Sequence, residues 1–294
     1  MKQHLLYNRH MEKKIIKSIK DEEISLERIG IIYNSDNCKS KATVERVQKA
    51  LLEEGLPSKL LHSDKLDSQI TFAIVIGGDG TILRAARFYS KYDVPVFGIN
   101  LGRLGFLSQA KPDDTEFAIS KILEGQFKLE ERLMLTALNG KLSALNDIVI
   151  KGESFSRTSR LYVHINDKIV CDYLADGLII STPTGSTAYT LSAGGPILVP
   201  SLKAMVIVPI CPHTMNARPL VVPSTEKIQI TTCQSKPKLK ISADGQIVLN
   251  INPSEKIEIQ ESQHKAKLLL LNVENNGFYS ILREKLHWGI SWKG

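Results

Sequence analysis

Phe72-Ala73-Ile74-Val75-Ile76-Gly77-Gly78-Asp79-Gly80-Thr81-Ile82-Leu83-Arg84-Ala85-Ala86-Arg87 has the pattern of a strand, a turn and a helix, the repeating unit of an α/β sheet. The apolar run suits a strand buried on both faces, and the residues after Thr81 take up helical spacing. Glycines in the turn let backbone N–H groups approach anionic oxygens, and the helix N-terminus adds partial positive charge. Asp79 is out of place in a simple phosphate cradle. A carboxylate there repels phosphates unless it holds a divalent cation or accepts a proton from a nucleophilic hydroxyl, and both roles belong to phosphoryl transfer. An isolated Asp-Gly is more often an ordinary turn after a strand, but three glycines around Asp79 favour the chemical reading. No Gly-Lys-Ser/Thr follows, and the spacing is not Gly-x-Gly-x-x-Gly, so neither the P-loop nor the dinucleotide fingerprint applies.

Working outward, Ile29–Tyr33 reads as a strand and 41–54 as a helix with Val44, Val47, Ala50 and Leu51 on one face, closed by Gly55. Val94–Ile99 reads as another strand, ending at Asn100-Leu101-Gly102. Alternating strands and helices predict a parallel sheet with ligands at the strands' carboxyl ends, where the Asp79 turn falls. From about Arg132 the texture changes to strands and turns, at 144–150, 161–165, 177–181, 227–231 and 238–241. Asp244-Gly245 between apolar runs signals a hairpin, and 278–286 reads as a short amphipathic helix. The fold class is thus an α/β N-terminal domain with a parallel sheet (1–131) plus a mainly β C-terminal domain (132–294), whose last segment is expected to return to the first domain.

Among 294 residues, 43% are hydrophobic, ample for two buried cores. The excess of 38 Lys and Arg over 31 Asp and Glu suits polyanionic small molecules. No basic run with interleaved aromatics, helix-turn-helix, zinc-finger or RNP pattern supports nucleic acid as a partner. Cys38, Cys171, Cys211 and Cys233 form no Cys-x-x-Cys pair, which fits a reducing cytoplasm, and Cys211 with His213 lacks a second ligand pair for a structural metal. The polar start, 1–21, does not read as a signal peptide, and the longest apolar stretch, 204–211, is too short to span a bilayer. No membrane partner is expected.

Asp176 to Gly195 runs from a strand into a loop dense in hydroxyls. Each Ser or Thr alone suits a cap or turn, but together they suit a ligand with ribose, amide and phosphate edges, with Tyr189 offering a flat surface to a base. Gly-Gly-Asp-Gly-Thr resembles the signature shared by NAD kinases, by diacylglycerol and sphingosine kinases and, more loosely, by phosphofructokinases. The chain as a whole resembles bacterial NAD kinases, on the Asp79 turn, the 176–195 segment, Cys211-Pro212-His213-Thr214 with Arg218-Pro219, Asp244-Gly245-Gln246, and Leu282-Arg283-Glu284-Lys285-Leu286-His287-Trp288. A lipid kinase would carry a Pro-x-Gly-Thr-x-Asn-Asp-like second motif where this chain has Thr182-Pro183-Thr184-Gly185-Ser186-Thr187.

The resemblance implies phosphoryl transfer from ATP, or polyphosphate, to the 2′-hydroxyl of the adenosine ribose of NAD, with Mg²⁺ arriving on ATP and no metal cage of the protein's own. Asp79 would accept the proton, Gly77, Gly78 and Thr81 would form the phosphate loop, and Gly80 would lie against the dinucleotide. Asn146 and Asp147 would reach its adenosine side. Asp176, Thr187, Ala188, Tyr189, Thr190, Leu191 and Ser192 would line the pocket, joined by Arg157, Thr184 and Gln246. NAD kinases usually show Asn-Glu where this chain has Asn146-Asp147; read without the family, that pair is a turn before the strand at 148–150. The resemblance also implies a homodimer or homotetramer built through the β domain. The rival readings are a lipid kinase sharing the Asp79 chemistry and a non-catalytic dinucleotide-binding regulator.

Overall fold

The computed structural model describes residues 15–18, 20–35, 38–102, 104–152, 158–232, 239–252, 255–271 and 277–287. Arg157, Cys233 and Trp288, singled out above, lie outside the described residues. The chain divides into two compact units, 1–131 with 266–294, and 132–265.

In the first unit, β1 (Ile15–Lys17) and β2 (Glu23–Ser25) pair with each other. There follow β3 (Ile29–Tyr33), α1 (Cys38–Glu53), β4 (Ser58–His62), β5 (Phe72–Ile76), α2 (Asp79–Tyr89), β6 (Val96–Ile99), α3 (Thr115–Leu123) and β7 (Phe127–Arg132). α1 buries Val44, Val47, Ala50 and Leu51, the stripe read from its spacing. It stops because Gly55, at φ +73°, turns the chain left-handed, with Gly55 N–H bonded to Leu52 C=O and Leu56 N–H to Leu51 C=O. β5 is buried along its whole length, as a central parallel strand requires.

The second unit carries β8 (Leu135–Ala137), β9 (Leu142–Ala144), β10 (Asp147–Gly152), β11 (Ser159–Ile165), β12 (Lys168–Ala175), β13 (Gly177–Ser181), a one-turn α4 (Tyr189–Ser192), β14 (Ala204–Ile210), β15 (Leu220–Pro223), β16 (Ile228–Thr232), β17 (Leu239–Ala243), β18 (Ile247–Ile251) and β19 (Ile257–Glu261). Two six-stranded sheets, β15-β14-β13-β10-β17-β18 and β12-β11-β16-β19-β8-β9, share one core. Alternate residues of both face inward, including Ile148, Ile150, Ile180 and Ile241 from one and Leu161, Val163, Ile230 and Ile259 from the other. The strand expected over 144–150 is two strands broken at Leu145-Asn146, a bend between the two sheets that falls where Asn146-Asp147 interrupts the apolar residues. The apolar stretch 204–211 is β14, buried from Met205 to Ile210.

The chain then re-enters the first unit with β20 (Ala266–Leu271), followed by α5 (Phe278–Leu286). The completed sheet runs β4-β3-β5-β6-β20-β7, parallel from β4 through β20. Among the described residues no helix is long and apolar enough to cross a membrane.

Candidate functional site

Asp79 is the first residue of α2, directly beyond β5, and Gly78 caps the helix in an extended conformation without a side-chain hydrogen bond. The positive end of the helix dipole is therefore not closed by a side chain. Two contacts fix the turn. Gly77 N–H donates to Ile99 C=O at 3.0 Å, tying it to the end of β6, and a Cβ on Gly77 would stand 2.7 Å from Thr81 Oγ1. Gly78 and Gly80 are exposed, as a loop that meets a ligand through its backbone requires.

The Asp79 carboxylate is held by a loop that sequence reasoning followed only as far as Gly102. Phe106 N–H donates to Asp79 Oδ2 at 3.0 Å, while Oδ1 is buried and accepts no hydrogen bond from the described residues. Gly105 packs against this carboxylate so closely that a Cβ there would lie 1.7 Å from Oδ1. The loop is braced in turn. Gly105 N–H bonds Ser108 Oγ at 2.7 Å, and the Phe106 ring meets Phe278 of α5 at 6.2 Å between centroids with Lys285 Nζ over its face. The repeated glycines at 102 and 105 after a strand were the available signal. One lone pair of a carboxylate is thus committed to the protein and an oxygen is left to accept a proton or a cation.

In the second unit, Asn146, Asp147, Ala188 and Tyr189 line one cavity of about 600 Å³ with Val149, Lys151, Gly152, Lys240, Ser242, Asp244, Gly245 and Val248. It lies on the outer face of β10 and β17, because 147, 149 and 151 alternate away from the core residues Ile148 and Ile150. Asp147 is only 4% exposed, and burial, with the nearby Asp244 carboxylate adding to it, pushes its carboxyl up to about 7.

The hydroxyls of this segment bond partly within it and partly to the Leu145-Asn146 bend. Thr182 Oγ1 donates to Leu145 C=O at 2.6 Å, Ser181 Oγ to Asn146 C=O at 3.2 Å, Ser186 Oγ to Pro183 C=O at 2.6 Å and Thr187 Oγ1 to Thr184 C=O at 3.2 Å. Buried Arg132 donates to Thr184 Oγ1 at 3.3 Å, and a Cβ on Gly185 would meet Asn146 O at 2.1 Å. These hydroxyls therefore build the support that seats the segment on the Leu145-Asn146 bend and brings Ala188 and Tyr189 to the cavity. Thr184 and Thr190 are buried, whereas Thr187, Leu191 and Ser192 reach the surface, and the Tyr189 ring is 41% exposed. Gln246 sits in the β17–β18 turn beside Gly245. Asp176 precedes β13 and its C=O accepts Gly152 N–H at 3.4 Å, at the Gly152 end of the cavity-lining strand β10, whereas Thr182 follows β13, roughly 20 Å away at the rise of a strand. Lys151, Lys240 and Ser242 were not singled out in the sequence, since their alternation onto this face appears only once the register of β10 and β17 is known.

Among the described residues no group of three or more His, Cys, Asp or Glu could hold a metal ion. Asp79 Oδ1 remains as a single anionic oxygen, a donor set that suits a hard divalent cation held mainly by phosphates and water.

Residues 59–127 match the ATP-NAD kinase N-terminal domain family and residues 145–271 the ATP-NAD kinase C-terminal domain family. An NAD kinase of Thermoanaerobacter sp. (strain X514) is 37% identical over 282 residues, covering 89% of this chain and 99% of its own. One from Moorella thermoacetica is 43% identical over 222 residues, covering 74% of this chain and 71% of its own. Among solved structures, an NAD kinase from Archaeoglobus fulgidus in complex with ATP superposes with a TM-score of 0.73 at 26% identity, over 87% of this chain and 98% of that one. With this agreement across both units, the chain belongs to the NAD kinase family.

Proposed function

We infer that this chain transfers the terminal phosphoryl group of ATP to the 2′-hydroxyl of the adenosine ribose of NAD, giving NADP and ADP. The observation that carries the reading is the Asp79 carboxylate, anchored at one oxygen by Phe106 N–H and without a donor among the described residues at the other, beside a helix N-terminus. In the proposed reaction the ribose 2′-oxygen forms its bond to the γ-phosphorus, the bond to the β,γ-bridging oxygen breaks, and Asp79 takes the hydroxyl proton. Positioning and neutralisation of phosphate charge supply most of the rate in such transfers, and the glycine-rich turn contributes backbone N–H groups to both. Asn146, Asp147, Ala188 and Tyr189 hold the nucleoside in the cavity, the ring of Tyr189 against a base. The chemistry supplied by Mg²⁺, bound with ATP as part of the donor, is neutralisation of charge on the phosphates. A cytoplasmic location and a homodimer or homotetramer complete the proposal.

Incubation with NAD and ATP-Mg²⁺, followed by an NADP-specific dehydrogenase, tests it. Formation of NADP in proportion to enzyme is expected, and none above a protein-free control would overturn it.

A further inference from the structure

The β17–β18 turn does more than reverse the chain. Asp244, at φ +53°, curls its side chain back over the bend that breaks β9 from β10. Its Oδ1 accepts Asn146 N–H at 2.8 Å and Asp147 N–H at 3.2 Å, and its Oδ2 accepts Leu145 N–H at 3.1 Å. Asp244 N–H donates to Asp147 C=O at 2.9 Å, so the two segments are locked in both directions.

We propose that Asp244 is a positioning residue of the acceptor site: by gathering the N–H groups of Leu145, Asn146 and Asp147 it fixes the bend that presents Asn146 and the buried Asp147 to the cavity, where, through burial and Asp244 together, the Asp147 carboxyl acts as a hydrogen-bond donor. This rests on the NAD kinase reading and adds to it the chemistry by which the cavity recognises its ligand. Two carboxyl groups share one wall. One accepts three N–H groups, and the other is buried beside it, which favours the protonated form of the Asp147 carboxyl. Burial first, and Asp244 second, raise the Asp147 carboxyl to about 7. Among the described residues, Lys151 from the same strand, Lys240 from β17 and Tyr189 from the α4 segment are the other titratable groups on the cavity wall. A protonated carboxyl donates, so its partner is an atom that only accepts, such as a purine ring nitrogen or a ribose oxygen of the adenosine moiety.

The test is the pH dependence of the full-length protein from pH 6 to 9, read as kcat and KM for NAD and for ATP-Mg²⁺ separately, with calorimetric NAD binding over the same range. For the wild type, KM and Kd for NAD should rise above about pH 7, by as much as about tenfold per pH unit, with KM for ATP flat. Asp244→Asn should fold, because Asn tolerates the left-handed conformation and keeps one accepting oxygen. It should raise KM for NAD roughly two- to tenfold, from loss of the bond to Leu145, and move the alkaline limb to lower pH, since a charge repelling the Asp147 anion is gone. Asp147→Asn, which donates without titrating, should abolish the limb. A wild-type profile flat in Kd for NAD, or an Asp244→Asn limb that does not move, would overturn the proposal; a purely structural role would lower melting temperature and kcat and leave the limb in place. Absence of NADP formation would instead sink the kinase reading, and the calorimetric profiles would still decide this one.

Discussion

Gly105→Ala places one methyl group against the reactive carboxylate. The added Cβ would stand 1.7 Å from Asp79 Oδ1, 2.3 Å from Cγ and 2.4 Å from Oδ2. Non-bonded carbon and oxygen rarely approach closer than about 3.2 Å, so the carboxylate must retreat by about 1.5 Å or the 102–108 loop must lift by as much. Either movement disturbs the 3.0 Å bond from Phe106 N–H to Oδ2. A displacement of about 1 Å in a reacting group costs on the order of 10²-fold, so kcat should fall by about that factor, with KM for NAD changed much less. The steric relief is local, a rotation at the first residue of α2, and the melting temperature should fall by only a few degrees. Gly277→Ala is the matched control, since no atom lies within 4 Å of a Cβ there and the residue's φ is −78°. Steady-state kinetics with both substrates varied, repeated in an Asp79→Asn background, form a double-mutant cycle. If Gly105 acts through Asp79, the alanine should cost little once the carboxylate is gone. A Gly105→Ala enzyme within a few-fold of wild type, or a full 10² loss that persists in the Asp79→Asn background, refutes the reasoning.

Asp79→Asn itself should fold and lose kcat toward the lower end of the 10²–10⁴ range usual for general bases, because a loose phosphoryl-transfer transition state asks for little early deprotonation; activity within a few-fold of wild type would remove Asp79 from the reaction. Asp147→Glu should be tolerated, with the added methylene reaching into the cavity, whereas Asp147→Ala should weaken NAD binding by about 1–3 kcal/mol; equal large losses in kcat for both, with KM for NAD unchanged, would show the residue misplaced. Asp147 should also govern stability. Its carboxyl rises from 3.8 to about 7 on folding, so both states are protonated below the first value, and the folded protein loses stability as pH climbs to the second, on the order of 4 kcal/mol in all. The melting advantage of Asp147→Asn should therefore grow from pH 5 to 7 and level off above it, and a constant difference across that range would contradict the assignment.

In the first unit β3, α1, β5, α2 and β6 were legible because their signals are local, whereas β4, α3 and β7 were not read. A five-residue apolar run, a glycine-flanked carboxylate and a helical stripe at Val44, Val47, Ala50 and Leu51 each carry their meaning within one turn or strand. β20 was not legible as a strand, since Ala266–Leu271 gains its place only beside β6, far away in sequence. The break at Leu145-Asn146 was legible only as a turn at Asn146-Asp147, because the hydrogen bonds that make it come from Asp244 and Thr182, on two other segments. The density of hydroxyls over 176–195 suits a ligand, whereas Ser181, Thr182, Ser186 and, of those expected in the pocket, Thr187 bond to carbonyl groups nearby. Residue type told that polar groups were needed there; only the fold tells which ones face inward.

The return of the chain at β20 bears on the order in which a ribosome can finish the molecule. β20 lies between β6 and β7, with Leu268 and Leu269 wholly buried, yet it emerges only after all of 132–265. During synthesis the earlier-made sheet waits with β6 unpaired on one side, while the later-made sandwich, contiguous in the chain, has every strand it needs. The half translated second can thus mature first. Nascent chains stalled so that residue 265 has just cleared the exit tunnel should resist protease across 132–265 and be cut within 15–131, and six more residues outside the tunnel should begin to protect the sheet that carries Asp79.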